Sequence, residues 1–397
     1  RSLIPFAWCL VSSLAMSARP ATAGDAVSVT TKSPEAAAAY AAGRDLADNL
    51  RVAEAQAQYR KAVTLDPDFA LATAYLGAVT PGADGDALIE RAVGMSASLP
   101  EAERMLVQAL AATRRGDDNE VIALRRKLAE MAPGDWHVQF DQGQVLFGSR
   151  KFDEAVTAYQ KAAALNPKAG AVDNSLGYAQ LAQNRHDEAI AAFKRYAEIN
   201  PTEPNPADSL GEALTRAGRF EEAEAAYQQA LKISPGFWTA WEGIAKARAM
   251  RGDWPGSYQA ADKARATATR ANDQVGMGFD QAWSLFAQGK KAEALKASDQ
   301  VASDSQAKKL NASYAFIALD NAARLTASGQ PADALKQVAL ALDRAEKAKL
   351  AGGQMNAVRR GALYERIDAE SRLGKAADAK ATLAMVGLAG FEARYPR

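Results

Sequence analysis

One spacing constrains this chain more than its composition does: between Trp136 and Phe237 the same residue types return every 34 positions. Gly143, Ala155, Tyr159, Ala162 and Pro167 are followed by Gly177, Ala189, Phe193, Tyr196 and Pro201, then by Gly211, Ala223, Tyr227, Ala230 and Pro235. These offsets describe a hairpin of two helices. A glycine in the middle of the first helix admits the second one closely, and an alanine opens that second helix with an aromatic one turn further along the same face. Proline ends the unit, because it cannot continue a helix interior and restricts the residue before it. A single hairpin leaves an apolar face uncovered, so copies must stack into a solenoid.

The period continues on both sides of this stretch. Gly43, Ala55, Tyr59, Ala62 and Pro67 repeat the offsets over 35–69. Pro67, Pro100 and Pro133 stand 33 apart, which predicts two diverged units over 70–100 and 101–135. In the first of them Pro81-Gly82-Ala83-Asp84-Gly85 is expected to cut a helix short and stay out of helix itself. Ser98, three residues before Glu101, has capping-box spacing and is expected to start the next helix. Toward the C-terminus a turn signature persists in Gly218-Arg-Phe-Glu-Glu-Ala223, Gly289-Lys-Lys-Ala-Glu-Ala294, Gly329-Gln-Pro-Ala-Asp-Ala334 and Gly374-Lys-Ala-Ala-Asp-Ala379. Glycine ends one helix in a left-handed conformation, and the acid enters the first turn of the next, where the helix dipole favours it. The last three such glycines are 40 and 45 residues apart, which predicts further hairpins with longer helices. Gly252-Asp-Trp-Pro-Gly256 fits an ordinary inter-helix turn better than a kink between arrays.

The pattern resembles the tetratricopeptide repeat: a 34-residue unit with small, small, aromatic, small and proline in order, departing only at Tyr196. Trp241 matches that repeat's early tryptophan in the following unit. The resemblance implies an all-α, right-handed superhelical solenoid of stacked antiparallel helix hairpins, and a scaffold that binds other proteins. It also implies that partner contacts come from the first helices, at the second, fifth, ninth, twelfth and thirteenth positions of each unit. Counted from Trp136, Gly170, Pro204 and Trp238, these include Phe140, Gln144, Phe147, Asn174, Tyr178, Asp208, Glu212, Arg216, Glu242 and Lys246, with Tyr40 and Arg44 equivalent in the first repeat. Aromatics here could anchor an extended peptide or a helix while charges fix its register; Phe140 and Phe147 fit the hairpin core equally well. Asp208 and Glu212 would repel an anion, and only Asn174 matches the basic clamp by which some relatives hold a terminal carboxylate. A narrower likeness joins Glu101-Ala-Glu-Arg-Met-Leu106, the regular repeats and Asn205-Pro-Ala-Asp-Ser-Leu-Gly211. It is similar to repeat arrays attached to bacterial transmembrane kinases and transcription regulators, without their kinase, DNA-binding or membrane parts.

Ahead of the repeats, Arg1, the apolar run Leu3 to Met16 and Ala21-Thr22-Ala23 have the form of a secretory signal peptide over 1–23. The run is short of the roughly 20 residues that span a bilayer, so no stable membrane insertion is expected after cleavage near Ala23. Residues 24–34 have linker composition. Cys9 is the chain's one cysteine, so the mature protein holds no disulfide, which fits a bacterial periplasmic or secreted protein. The repeat array is expected over 35–270, regular at 35–69 and 136–237, with degenerate hairpins over 271–397.

Charge is balanced, with 48 basic and 47 acidic residues, which argues against nucleic acid as a partner. His137 and His186 are the only histidines and lie in different repeats, with no metal-ligand cluster around them. His186 falls in the turn Gln183-Asn184-Arg185-His186-Asp187 and is expected at the surface, whereas His137 begins a helix and has no nucleophile motif to serve. Gly276-Met277-Gly278 and Gly289-Lys290 each lack a glycine that a phosphate loop needs. No catalytic, cofactor or metal residues are therefore expected. The expected role is a periplasmic protein- or peptide-binding scaffold. Two others remain: a sensor holding a small molecule between the front and rear arrays, and a hydrolase whose groups converge across repeats.

Overall fold

A computed structural model describes residues 26–49, 51–350 and 352–385. The segment taken as a signal peptide, Cys9 included, lies outside the described residues. Among those described, twenty α-helices pair into ten hairpins and there is no strand. The chain is all-α, a tetratricopeptide-like stack of hairpins, and divides into two compact units between Ile199 and Asn200.

The first unit contains α1 (Pro34–Asp48) with α2 (Val52–Leu65), α3 (Ala70–Val79) with α4 (Gly82–Met95), and α5 (Glu101–Arg115) with α6 (Asp118–Met131). It ends with α7 (Trp136–Gly148) against α8 (Phe152–Leu165) and α9 (Gly170–Leu181) against α10 (His186–Ile199). The second unit opens with α11 (Pro204–Arg216) and α12 (Phe220–Ile233), then α13 (Trp238–Met250) and α14 (Trp254–Thr267). Its remaining pairs are α15 (Ala271–Ala287) with α16 (Lys291–Ala307), α17 (Asn311–Ala327) with α18 (Pro331–Lys347), and α19 (Gly352–Arg372) with α20 (Ala376–Met385). From α15 to α18 each helix runs 17 residues, against 12 to 14 from α7 to α14.

The repeated residues are the packing of the hairpin. Ala155, Tyr159, Ala162, Ala189, Phe193, Ala223 and Ala230 are fully buried. A Cβ at Gly143 would lie 2.4 Å from the Tyr159 ring, one at Gly177 2.6 Å from Phe193, and one at Gly211 2.6 Å from Tyr227. Each aromatic thus fills the space left by the glycine of its own hairpin. Tyr227 also abuts Gly243 of the next one, at 2.3 Å from a built Cβ. The turns are equally regular: Gly218, Gly289, Gly329 and Gly374 are left-handed with φ of 76°, 75°, 77° and 74°. Arg150, Asn184, Lys309 and Lys349 are also left-handed, with φ of 60°, 58°, 58° and 53°.

Two sequence expectations need correction. Gly82 to Gly85 are not loop but the first turn of α4, since only Thr80 and Pro81 separate it from α3. Gly85 makes this possible: a Cβ there would sit 2.0 Å from the Thr80 carbonyl oxygen. Ser98 does not cap α5; it ends a 3-10 turn (Ser96–Ser98), and Pro100 occupies the cap position without a side-chain hydrogen bond.

Residues 26–33, linker-like in composition, form a strap fixed to the first unit. The Val27 N–H donates to Asp135 Oδ2 (3.1 Å), and Thr30 donates to Glu103 from its N–H (3.0 Å) and hydroxyl (2.6 Å). Thr31 and Lys32 follow, donating from hydroxyl (2.5 Å) and N–H (3.0 Å) to Asp66 Oδ2. Glu103 is fully buried, so Thr30 supplies the hydrogen bonds its carboxylate needs. The Thr31 hydroxyl and the backbone N–H of Lys32 hold the Asp66 carboxyl below the usual carboxylate range.

Candidate partner-binding site

The residues expected at the partner face fall into two groups. In the first unit Tyr40 is buried among aromatic rings, with centroids 5.3 Å from Phe69 and 5.5 Å from Tyr75. Arg44 is buried as well. It donates to the Tyr75 hydroxyl and lies 3.5 Å from Asp141 Oδ2, which Arg125 approaches at 2.7 Å. Burial alone would push the Asp141 carboxyl up, but the two guanidiniums hold it below the usual range. His137, stacked on Trp136 at 3.7 Å, brings its Nε2 within 3.3 Å of Asp48 Oδ2. Side chains of α1, α3, α6 and α7 therefore occupy one another. Phe140 is core, packed 5.8 Å from Tyr159. Gln144 is exposed and accepts from the Tyr159 hydroxyl; Phe147 is half-buried against Phe152 at 5.5 Å. Asn174 and Tyr178 are half-buried on α9, Tyr178 edge-on to Phe193 at 5.1 Å. His186, expected at the surface, is half-buried at the start of α10.

In the second unit Asp208, Glu212, Arg216, Glu242 and Lys246 all line a single cavity of about 890 Å³. Helical spacing explains the convergence: Asp208, Glu212 and Arg216 are four apart on α11, and Glu242 and Lys246 four apart on α13, so each set shares a face. Arg216 pairs with Glu212 at 2.8 Å, and Lys246 with Glu242. Burial first, then the neighbouring Glu212, pushes the Asp208 carboxyl up to about 7, and its Oδ1 is buried without a hydrogen-bond partner.

The cavity has further walls that sequence reasoning missed. From α14 come Trp254 and Tyr258; from α15 come Met277, Asp280 and Trp283; from α17 comes Arg324. Asp280 is pushed up to about 6, chiefly by burial, with Glu242 adding to the rise against Lys246 and Arg324. Trp283 is 51% exposed, and Met250 on the rim is 60% exposed. A signal for the missing wall is present in the turn glycines. Glu212, Lys246 and Trp283 each stand six residues before Gly218, Gly252 and Gly289, all left-handed. Counting back from the turn finds Trp283, whereas counting forward by 34 does not, because α15 is longer.

Among the described residues no group of three His, Cys, Asp or Glu could hold a metal ion, and no helix is long and apolar enough to cross a membrane.

The hairpin with its glycine, alanine, aromatic and proline places the chain among helical repeat proteins. Residues 140–204 and 207–237 match family models described as tetratricopeptide repeat. No curated protein matches it. It is similar to a solved tetratricopeptide repeat protein from Parabacteroides merdae ATCC 43184, with 15% identity over 66% of this chain and 98% of that one, at a TM-score of 0.49. It is also similar to MamA from Desulfovibrio magneticus RS-1, with 17% identity over 43% of this chain and 97% of that one, TM-score 0.39. YrrB, described as a TPR protein with an unusual peptide-binding site, shares 16% identity over 47% of this chain and 96% of its own, TM-score 0.38.

Proposed function

We propose that the chain is an exported, non-catalytic scaffold that holds a protein or peptide partner on the first-helix face of its repeats. The division of labour in the second unit carries this reading. Gly211, Ala223 and Gly243 do the packing, which leaves charged and aromatic side chains of α11, α13 and α15 free to converge on one cavity. Stacked repeats suit such a role, because the frame is specified by a few small residues and the remaining positions are open to partner choice. Export is supported by the apolar run from Leu3 to Met16, the Ala21-Thr22-Ala23 end and the absence of cysteine after Cys9.

A photo-crosslinking amino acid introduced at Arg216 or Trp283, compared with one at the exposed Gln229 on α12, tests the surface in the native cell. Adducts from the first two positions and none from the third are expected; the reverse pattern would move the partner to the other face. Fractionation with N-terminal sequencing tests export, with Gly24 expected as the first residue of a periplasmic product.

A further inference from the structure

The cavity of the second unit has an unbalanced lining. Four carboxyl groups reach it, from Asp208, Glu212, Glu242 and Asp280. Its cations are already engaged: Arg216 by Glu212 at 2.8 Å, Lys246 by Glu242, and Arg324 by Asp320 at 2.6 Å, a residue outside the lining. Among the described residues Asp208 and Asp280 have no ion pair of their own: their neighbours are the Thr239 hydroxyl for Asp208, whose Oδ1 is buried and unsatisfied, and the Glu242 carboxyl for Asp280. Carboxyl groups placed together in partial burial are costly when ionised, and a positive group brought among them repays that cost.

The other walls narrow the chemistry. Trp254, Tyr258 and Trp283 present aromatic surface beside the acids, and Trp283 keeps half of its own surface open. Indole is the best aromatic face for a cation, and it also covers an aliphatic stem. A metal ion is a poor fit: no three ligating groups are arranged for one among the described residues, and much of the lining is apolar. An anion would meet surplus negative charge. The fitting ligand has a charged, hydrogen-bond-donating head on a long apolar stem, and the cavity, at about 890 Å³, has room for such a side chain with its flanking backbone.

Resting on the groove reading above, we propose that this cavity receives the arginine or lysine side chain of a bound peptide, with the head among Asp208, Glu242 and Asp280 and the stem against Trp283. Binding is then linked to protons. The carboxyls of Asp208 and Asp280, pushed up to about 7 and about 6, ionise as the cation enters, so affinity rises with pH through that range.

The test uses the full chain and end-blocked peptide libraries that carry arginine, lysine, norleucine or glutamate at one fixed position among degenerate neighbours. At about pH 8 and low salt, retention of the arginine and lysine libraries should exceed that of norleucine and glutamate by roughly tenfold. The preference should shrink toward about pH 5 and disappear in the Asp208→Asn, Asp280→Asn double variant, with its folding checked by thermal melt; a preference that persists in the folded double variant would overturn the role of these acids. Norleucine or glutamate retained as well as arginine would overturn the cationic preference while leaving the groove in place. No library retained, or retention unchanged by Trp283→Ala in a variant that melts like the parent, would overturn the groove and the preference together. Free agmatine binding as tightly as the arginine peptides would overturn the peptide as the source of the cation.

Discussion

At the scale of single residues the repeat is a glycine and an aromatic that share one volume. Gly143→Ala places a methyl group 2.4 Å from the Tyr159 ring, which is fully buried and has nowhere to retreat. Overpacking of this kind costs about 1–3 kcal/mol, more than the gain in helix propensity returns. Urea denaturation should show that loss, whereas Gly94→Ala, with nothing within 4 Å of its Cβ, should be neutral or stabilising by about 0.5–1 kcal/mol. Two buried acids give opposite pH dependences. Asp141 titrates below its unfolded value, so the stability it contributes is present above that value and lost as pH falls through the depressed one. Asp208 is raised to about 7, so its contribution is fully present below the unfolded value and lost as pH rises through about 7. Asp208→Asn should therefore raise stability at about pH 8, by on the order of 1–2 kcal/mol, and do little at about pH 4. Thermal melts of parent and variant across that range check the sign.

At the scale of the hairpin, what was legible in the sequence is what packing repeats. Glycine, alanine and aromatic at fixed offsets gave the hairpins, and the left-handed glycine gave the turns of the rear unit even where the 34-residue period had lapsed. The illegible parts depend on neighbours far away in sequence. Gly85 looked like a helix breaker because nothing local shows that its missing Cβ is needed beside Thr80. Residues 26–33 looked like a linker because their anchors, Asp66, Glu103 and Asp135, lie 34 to 108 positions further on. In the cavity, the wall formed by α11 and α13 was visible from the repeat register, and one further step of 34 from Lys246 reaches Asp280 on α15, whereas Trp283 falls off that register on a helix of another length. The turn itself carries a prediction. Lys309 holds φ of 58° with a side chain, in the same type of turn that glycine makes at Gly289 and Gly329. Lys309→Gly should relieve that cost and stabilise the rear unit by up to about 1 kcal/mol in denaturant melts, because the left-handed penalty exceeds the extra entropy glycine loses on folding.

At the scale of the molecule, the buried ionic network and the cavity fall to different units. The network of Arg44, Tyr75, Arg125 and Asp141 and the strap that ends at Ser33 belong to the first unit, and every residue lining the cavity belongs to the second. In a stack whose stability comes from hairpins and their nearest neighbours, damage in one hairpin is felt chiefly by those beside it. Glu103→Ala is a suitable probe. It leaves Thr30 without the acceptor for both its N–H and its hydroxyl and empties a fully buried site, at a cost of about 2–4 kcal/mol. Hydrogen exchange should then show faster opening of α1 through α6 and protection unchanged from α13 through α18. Retention of basic-peptide libraries, read on the same preparation, should stay at the level of the parent. Loss of peptide binding together with front-unit protection would mean that the two units act as one cooperative body, and the cavity would then have to be treated as a property of the whole chain rather than of α11 to α17.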